Sequence, residues 1–439
     1  MRESVCAIFV YRDEVFSITR QNYLSVFPGY TAFPGGKIDK SDKEITKSYI
    51  GELAKFEPYI MSALIREMNE EINFDLEANL DLIESIDYVG LAITPEFNPY
   101  RFKNYYYRIN LKEKVEFTVD EGEASESGWT KACDLMASFE RAEIMAVPPT
   151  VKLFKALEDN ILFEEELDLS LPHCPETEVP MIESIYGVKQ FLPLSHTFPP
   201  ANRTNCFLIG DSKSVLIDPS PRDEQELEKL IKHVDKFSVD EVFLTHHHPD
   251  HHERSVKVAK YYGVKMGMSE DTYERILARH GEDYFLDTEI HFYSEGDILT
   301  QSLGKDIQIY EVPGHDEGQL AIAPSTMNWF LVGDLIQTIG TVVIGAPEGD
   351  MLKYFESLNR VIDLSPKFII PSHGIAIGGT HKLSKTLGHR QEREDQIKNL
   401  KQSGKSNQEI LDVIYEAIDP KLHKYAMKTI VAHLKKLNL

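Results

Sequence analysis

Five of the sixteen histidines fall within seven residues, in the stretch EVFLTHHHPDHH. The run 241–244 before them is aromatic and β-branched, so the cluster sits where a buried strand meets a loop. Within it stands the pattern His246-x-His248-x-Asp250-His251. Imidazole nitrogens and carboxylate oxygens are the donors a divalent zinc ion takes. Alternate residues of an extended segment point the same way, so His246 and His248 can reach one cation. Asp250 and His251, past the bend at Pro249, can turn toward a second. A solvated histidine tract would bind metal only adventitiously. Three later residues argue against that: His315 in VPGHDEG, Asp334 in FLVGDL and His373 in IIPSHG. Each ends an apolar run, the place where α/β sheets build their sites.

The full set, H-x-H-x-D-H and then a lone His, Asp and His, resembles the metallo-β-lactamase superfamily over roughly residues 185–380. LIDPS, with Asp218, matches the acidic turn that precedes the histidine motif in that family. The resemblance implies an αββα sandwich. It also implies that His246, His248 and His315 hold a first metal, that Asp250, His251 and His373 hold a second, and that Asp334 bridges them. Two Zn²⁺ ions are the expected cofactors, activating water for attack, with Asp250 orienting the nucleophile. Asp218 is a candidate acceptor for an imidazole N–H. His247 and His252 fall outside the pattern and are expected beside the site or in solvent. His248, where the flavodiiron branch has Glu, points away from that branch.

Length leaves room for more than this domain. At 439 residues the chain should hold two or three folded units. The expected division is 1–165, a linker at 166–184 that is acidic and interrupted by proline, 185–380, and a polar helical tail at 381–439. Strand-like runs at 204–209, 215–217, 241–244, 307–312, 329–332 and 368–371 alternate with helical stretches at 224–234 and 350–362, the mark of an α/β domain. Cys6, Cys133, Cys174 and Cys206 form no CxxC pair, which disfavours a disulfide framework or a cysteine-type zinc finger. No signal peptide or membrane-length apolar run is evident, so a cytoplasmic location and no membrane partner are expected. Oligomeric state is not legible.

Net charge is −24, which excludes a general nucleic-acid coat protein if the charge is evenly spread. It is not evenly spread: residues 381–439 carry twelve Lys+Arg against seven Asp+Glu. Residues 373–439 resemble the β-lactamase-like-protein-2 branch, in which a winged-helix-like tail follows the metal domain and the best-known activity is cleavage of single-stranded RNA. Lys424, Lys428, Lys435 and Lys436 are then candidates to steer a phosphodiester backbone. A capping helix with a solvated basic face is the plainer alternative.

The segment ALIREMNEEINF places Glu67, Glu70 and Glu71 at i, i+3 and i+4 of a helix over 60–73, on one face. Three crowded carboxylates are unfavourable unless a cation joins them, and Mg²⁺ or Mn²⁺ suits oxygen ligands. A solvated acidic face is the bland reading, which the FPGG turn at 33–36 offsets. Together they resemble the Nudix box, G-x5-E-x7-R-E-U-x-E-E-x-G-U, and imply an α/β/α sandwich that hydrolyses nucleoside diphosphates linked to another group. Glu67, Glu70 and Glu71 would bind metal and act in catalysis, and Arg66 would position a carboxylate. Two departures stand out. Gly36 lies 30 positions before Arg66 where the box has 14, an insertion of 16 that makes Glu57 one candidate for the box's first acid. Asn73 replaces the last glycine, tolerable because Asn accepts left-handed backbone. VFPGYTAFPGGKID, ITPEFNPYRFKNYYY and GEASESGWTKACDLM are similar to the subfamily of coenzyme A diphosphatases, so a nucleotide or coenzyme A-like molecule is the expected partner.

The chain thus reads as an α/β multidomain, bifunctional metal-dependent hydrolase, with an endoribonuclease-like dinuclear centre and a Nudix site. The alternatives are a glyoxalase II-like thioester hydrolase, a Nudix unit that only senses nucleotides, and a mononuclear-iron persulfide dioxygenase.

Overall fold

The computed structural model describes residues 1–98 and 101–439; Pro99 and Tyr100, inside ITPEFNPYRFKNYYY, lie outside the described residues. Two compact units are present. One comprises Met1–His173 with Ile182–Tyr186, the other Cys174–Met181 with Gly187–Leu439. No helix of the described residues is long and apolar enough to cross a membrane.

In the first unit the strand Arg2–Tyr11 runs parallel to Phe102–Leu111, from Arg2 opposite Phe102 to Val10 opposite Asn110. Its period-two pattern divides the unit into layers. Val5, Ala7 and Phe9 enter one apolar cluster with Ile60, Leu64, Met68 and Ile72 of the helix Pro58–Ile72. Ile8 and Val10 enter another with Leu135, Phe139, Leu153 and Phe154, from the helices Ala132–Glu140 and Pro148–Asp159. The result is the α/β/α sandwich expected of a Nudix fold. Pro58 opens the central helix where a missing N–H costs nothing. Asn73 closes it at φ 50° and ψ 42°, the left-handed conformation that the glycine substitution requires.

The insertion is packed rather than looped out. Gly51–Lys55 forms a 3₁₀ turn, Leu53 is fully buried in the central cluster, and Phe56 meets Tyr107 edge-on at 4.9 Å. Glu52 accepts a hydrogen bond from the Ile86 N–H at 3.0 Å.

In the second unit one sheet carries, in spatial order, Ile290–Phe292, Lys265–Met268, Glu241–Phe243, Val215–Ile217, Cys206–Ile209 and Val188–Phe191. Another runs Ile298–Ser302, Lys305–Glu311, Leu320–Pro324, Trp329–Gly333, Phe368–Pro371 and Ile377–Gly378. Leu227, Leu230 and Val234 of the helix Glu224–Val234 cover the first sheet with Val258 and Ala259. Tyr354, Leu358 and Val361 of Met351–Leu364 cover the second. This is the αββα sandwich with its helices outside. The helices His381–Gln402, Asn407–Ile414 and His423–Lys436 follow, joined by a small core of Ile397, Ile410, Leu411, Ile430 and Leu434.

Leu53→Ala should lower stability by about 2–5 kcal/mol, the usual cost of emptying a fully buried leucine site. Chemical denaturation of the first unit's transition measures it, and an unchanged midpoint would show the insertion to be dispensable to the core.

Candidate metal centres

The histidine loop is set by what lies beneath it. The strand Glu241–Phe243 runs parallel to Val215–Ile217, and Asp218 follows that neighbour at φ 49°. The buried Asp218 carboxylate accepts from the Thr245 N–H at 2.8 Å and the Thr245 hydroxyl at 2.6 Å, and from His251 Nδ1 at 2.8 Å. With Nδ1 so occupied, the His251 Nε2 lone pair faces inward. The other imidazoles are held alike: His315 Nδ1 donates to the Val343 carbonyl and His373 Nδ1 to that of Arg203, both at 3.0 Å. Gly314 lets His315 in, since a Cβ there would stand 2.3 Å from the Tyr354 backbone.

Two donor groups converge as a result. His248 Nδ1 lies 3.0 Å from both His246 Nε2 and His315 Nε2. Beside them, His373 Nε2 is 3.4 Å from Asp250 Oδ2, and His251 Nε2 is 3.8 Å from it. Asp334 stands between the groups. Its Oδ2 is 3.7 Å from His315 Nε2, while its Oδ1 is 3.4 Å from His373 Nε2 and 3.8 Å from His251 Nε2. Gln337 donates to Asp334 Oδ2 at 3.0 Å. His246, His248 and His315, and likewise Asp250, His251 and His373, each bring their donor atoms close enough to hold one ion. The buried atoms His251 Nε2, His373 Nε2 and Asp334 Oδ1 have no hydrogen-bond partner among the described residues. Lone pairs that converge unpaired in a buried site are costly unless a cation joins them.

Titration behaviour separates the groups. Burial, reinforced by neighbouring imidazoles, drives His246 down and His248 to about 3, so both rings are neutral at ordinary pH, the form able to ligate a metal. At His251 burial opposes the charge, but Asp250, Asp218 and Asp334 overcome it and raise the imidazole to about 9. His373 is raised well above its usual range against the same burial, by Asp334 and Asp250. A dication in the second group therefore displaces protons.

The carboxylates of the first unit lie under the FPGG turn. Gly35 N–H donates to Glu71 at 2.8 Å, and a Cβ on Gly36 would stand 2.2 Å from the Glu67 carboxylate. Arg66 reaches Glu67 at 2.8 Å, Glu70 at 3.1 Å and Asp42 at 2.9 Å. Asp42 is buried and is the acid that pairs with Arg66, whereas Glu57 sits exposed at the helix N-terminus. The signal for it was present: Asp42 stands six positions after Gly36, the G-x5-E spacing, so the 16 extra residues lie between Asp42 and Arg66. Burial raises Glu71 to about 7 despite the Gly35 N–H, and raises Glu67 despite Arg66.

The tail lysines are mostly engaged within their own unit. Lys436 is 2.6 Å from Glu394, Lys435 3.1 Å from Asp350 and Lys428 3.9 Å from Glu348. Lys424 lies over the Tyr425 ring. His247 pairs with the buried Asp316, and His252 is buried with Nδ1 donating to the His248 carbonyl at 2.9 Å.

Residues 199–373 match the family model of the metallo-beta-lactamase superfamily, residues 1–147 that of the NUDIX domain, and residues 406–438 that of the beta-lactamase associated winged helix domain. The chain therefore joins a NUDIX domain to a metallo-beta-lactamase domain, two hydrolase families, and is a metal-dependent hydrolase. Among curated relatives, it is 27% identical over 250 residues to a beta-lactamase-like protein 2 homolog of Drosophila melanogaster, covering 53% of this chain and 82% of that protein. It is 23% identical over 174 residues to an uncharacterized protein of Aquifex aeolicus (strain VF5), covering 37% and 80%. A crystal structure of a beta-lactamase domain protein from Burkholderia ambifaria aligns with a TM-score of 0.50 and 22% identity over 59% of this chain and 87% of that one, which shows the shared fold.

Two outcomes follow from these environments. Asp218→Asn should weaken zinc binding by about 10–100-fold, the usual effect of losing a ligand's outer partner, read by competition with a chromogenic chelator. Glu71, whose pKa is raised in the folded state, contributes stability below about 4.5 that is lost as pH rises through about 7. Cation binding needs the ionised form, so the Tm gain on adding Mg²⁺ should be small at pH 6 and large at pH 8. Glu71→Gln should remove that pH dependence.

Proposed function

We propose that the second unit is a dinuclear hydrolase acting on phosphodiesters of single-stranded RNA, and that the first hydrolyses a nucleoside-diphosphate-linked molecule, coenzyme A-like compounds included. The observation that carries the dinuclear reading is the trio of orphaned buried atoms, His251 Nε2, His373 Nε2 and Asp334 Oδ1, beside the His246, His248 and His315 triad. The proposed domain limits are 1–165, 185–380 and 381–439, in a cytoplasmic protein.

His246, His248 and His315 would hold one ion, and Asp250, His251 and His373 another, with Asp334 shared between them. Zinc fits imidazole and carboxylate donors of this kind. Bound there, the ions supply Lewis acidity and lower the pKa of water. The protein's own part is positional. Asp218, the Val343 carbonyl and the Arg203 carbonyl fix which nitrogen of His251, His315 and His373 faces the centre. Asp250, held ionised by His251 and His373 against its burial, is the carboxylate placed to orient an attacking water.

In the first unit, Glu67, Glu70 and Glu71 would hold Mg²⁺ or Mn²⁺, which suits an all-oxygen donor set. Arg66 ties Glu67 and Glu70 to Asp42. The insertion leaves that link intact, which supports a hydrolytic site over a sensor. A thioester substrate at the dinuclear centre is the second reading, and the carboxylates that already engage Lys428, Lys435 and Lys436 favour it by reducing the field available to an RNA backbone.

Purified protein should cut single-stranded RNA and lose that activity by at least about 100-fold in His248→Ala. Turnover of S-lactoylglutathione with RNA left intact would replace the nuclease reading by the thioester one. In parallel, Mn²⁺-dependent release of monophosphates from nucleotides or coenzyme A should disappear in Glu70→Gln; no release from any of them would leave the Nudix unit a binding module.

A further inference from the structure

Outside the dinuclear centre a second pair of imidazoles is brought nitrogen to nitrogen. His252 Nε2 lies 2.9 Å from Nε2 of His280, the last residue of the helix Glu270–His280. Neither residue belongs to the H-x-H-x-D-H pattern.

Both rings are held in place by the fold. His252 is fully buried, and its Nδ1 faces the His248 carbonyl, which only an N–H can satisfy. In the neutral ring the proton is therefore on Nδ1 and the lone pair is on Nε2, the form in which histidine serves as a metal ligand. His280 lies flat on Tyr284, with ring centroids 4.4 Å apart and planes 22° from parallel. Tyr284 donates in turn to the His252 carbonyl at 3.3 Å. His280 is itself exposed, so solvent reaches the pair.

The spacing repeats that of the dinuclear centre, where neighbouring imidazole nitrogens stand 3.0 Å apart. A cation about 2.05 Å from each nitrogen would subtend about 90° between them, an ordinary ligand angle. Burial and the neighbouring Arg279 hold the imidazole of His280 below its usual range, and Glu253, next in the chain to His252, only partly opposes them, which keeps the His280 ring in its neutral, ligating form.

We infer that His252 and His280 form a peripheral site for a divalent transition-metal ion of the imidazole-preferring class, zinc, copper or nickel, separate from the dinuclear centre. Solvent fills the remaining positions, so this site is more weakly and more reversibly occupied than the centre itself. It owes nothing to the choice between RNA and thioester.

The test uses the full chain dialysed to equilibrium against buffered free Zn²⁺, with bound zinc counted by atomic absorption. His280→Ala and His280→Gln each remove the exposed ligand, and Gln keeps an N–H that can still bond to His252. Both variants should bind one zinc fewer per chain than the wild type at saturation, with the tighter-binding zinc unchanged. A zinc-edge anomalous peak should lie between the two Nε2 atoms in wild-type crystals. Equal zinc counts in all three proteins would overturn the inference and leave the contact a plain N–H···N hydrogen bond. So would the loss of a zinc in His280→Ala but not in His280→Gln.

Discussion

The second unit's site depends on one buried carboxylate. Asp218 is buried, and its carboxylate is satisfied there by three hydrogen bonds from Thr245 and His251. Those bonds also fix the turn that leads from the strand Glu241–Phe243 into the histidine loop. The left-handed backbone at Asp218 aims the carboxylate at this turn. Leaving a charge without its donors typically costs several kcal/mol, so the loop has little freedom to choose another path. His246, His248, Asp250 and His251 inherit their placement from it, while His315, Asp334 and His373 arrive from strand ends of the other sheet.

Part of this candidate centre was legible in the spacing of the histidine loop, and part because His315, Asp334 and His373 each end an apolar run, where a polar residue at the close of a buried strand has few structural reasons to be there. His373 after Phe368–Pro371 and Asp334 after Trp329–Gly333 are of this kind. Partners that use backbone carbonyls, such as Arg203 and Val343, carry no side-chain signal and could not be read. Thr245 was hidden for another reason: its role comes from contact with a residue 27 positions earlier. The tail shows the limit of counting charge. Its basic excess is real, yet Lys435 meets Asp350, an acid outside the 381–439 tally, and Lys436 meets Glu394 within it.

The two sites answer one problem with different donors. Each unit gathers like or mismatched charges into a place where burial penalises them, and a cation is the natural remedy. In the first unit the donors are carboxylates alone, and burial pushes Glu67 and Glu71 toward the protonated form. In the second, imidazoles join the carboxylates, and His251 and His373 carry protons that a bound cation would displace. The two donor sets therefore suit different classes of cation, oxygen donors alone in the first unit and imidazole with carboxylate in the second.

The insertion in the Nudix box shows why the motif tolerates interruption at one point and not at others. Between Asp42 and Arg66 the chain needs only to return to its starting place, because the ion pair at 2.9 Å closes the loop. Lengthening such a loop from about 7 to about 23 residues adds only about 1 kcal/mol of closure entropy. Burying Leu53 returns about 2 kcal/mol. The balance favours keeping the excursion, provided that it packs, and Leu53, Phe56 and Glu52 are what make it pack. Between Arg66 and Glu71 no such freedom exists, since one added residue would rotate the following carboxylates by about 100° around the helix and take Glu70 and Glu71 off the face they share with Glu67. The spacing that matters is the one a helix enforces; the spacing that can stretch is the one an ion pair spans.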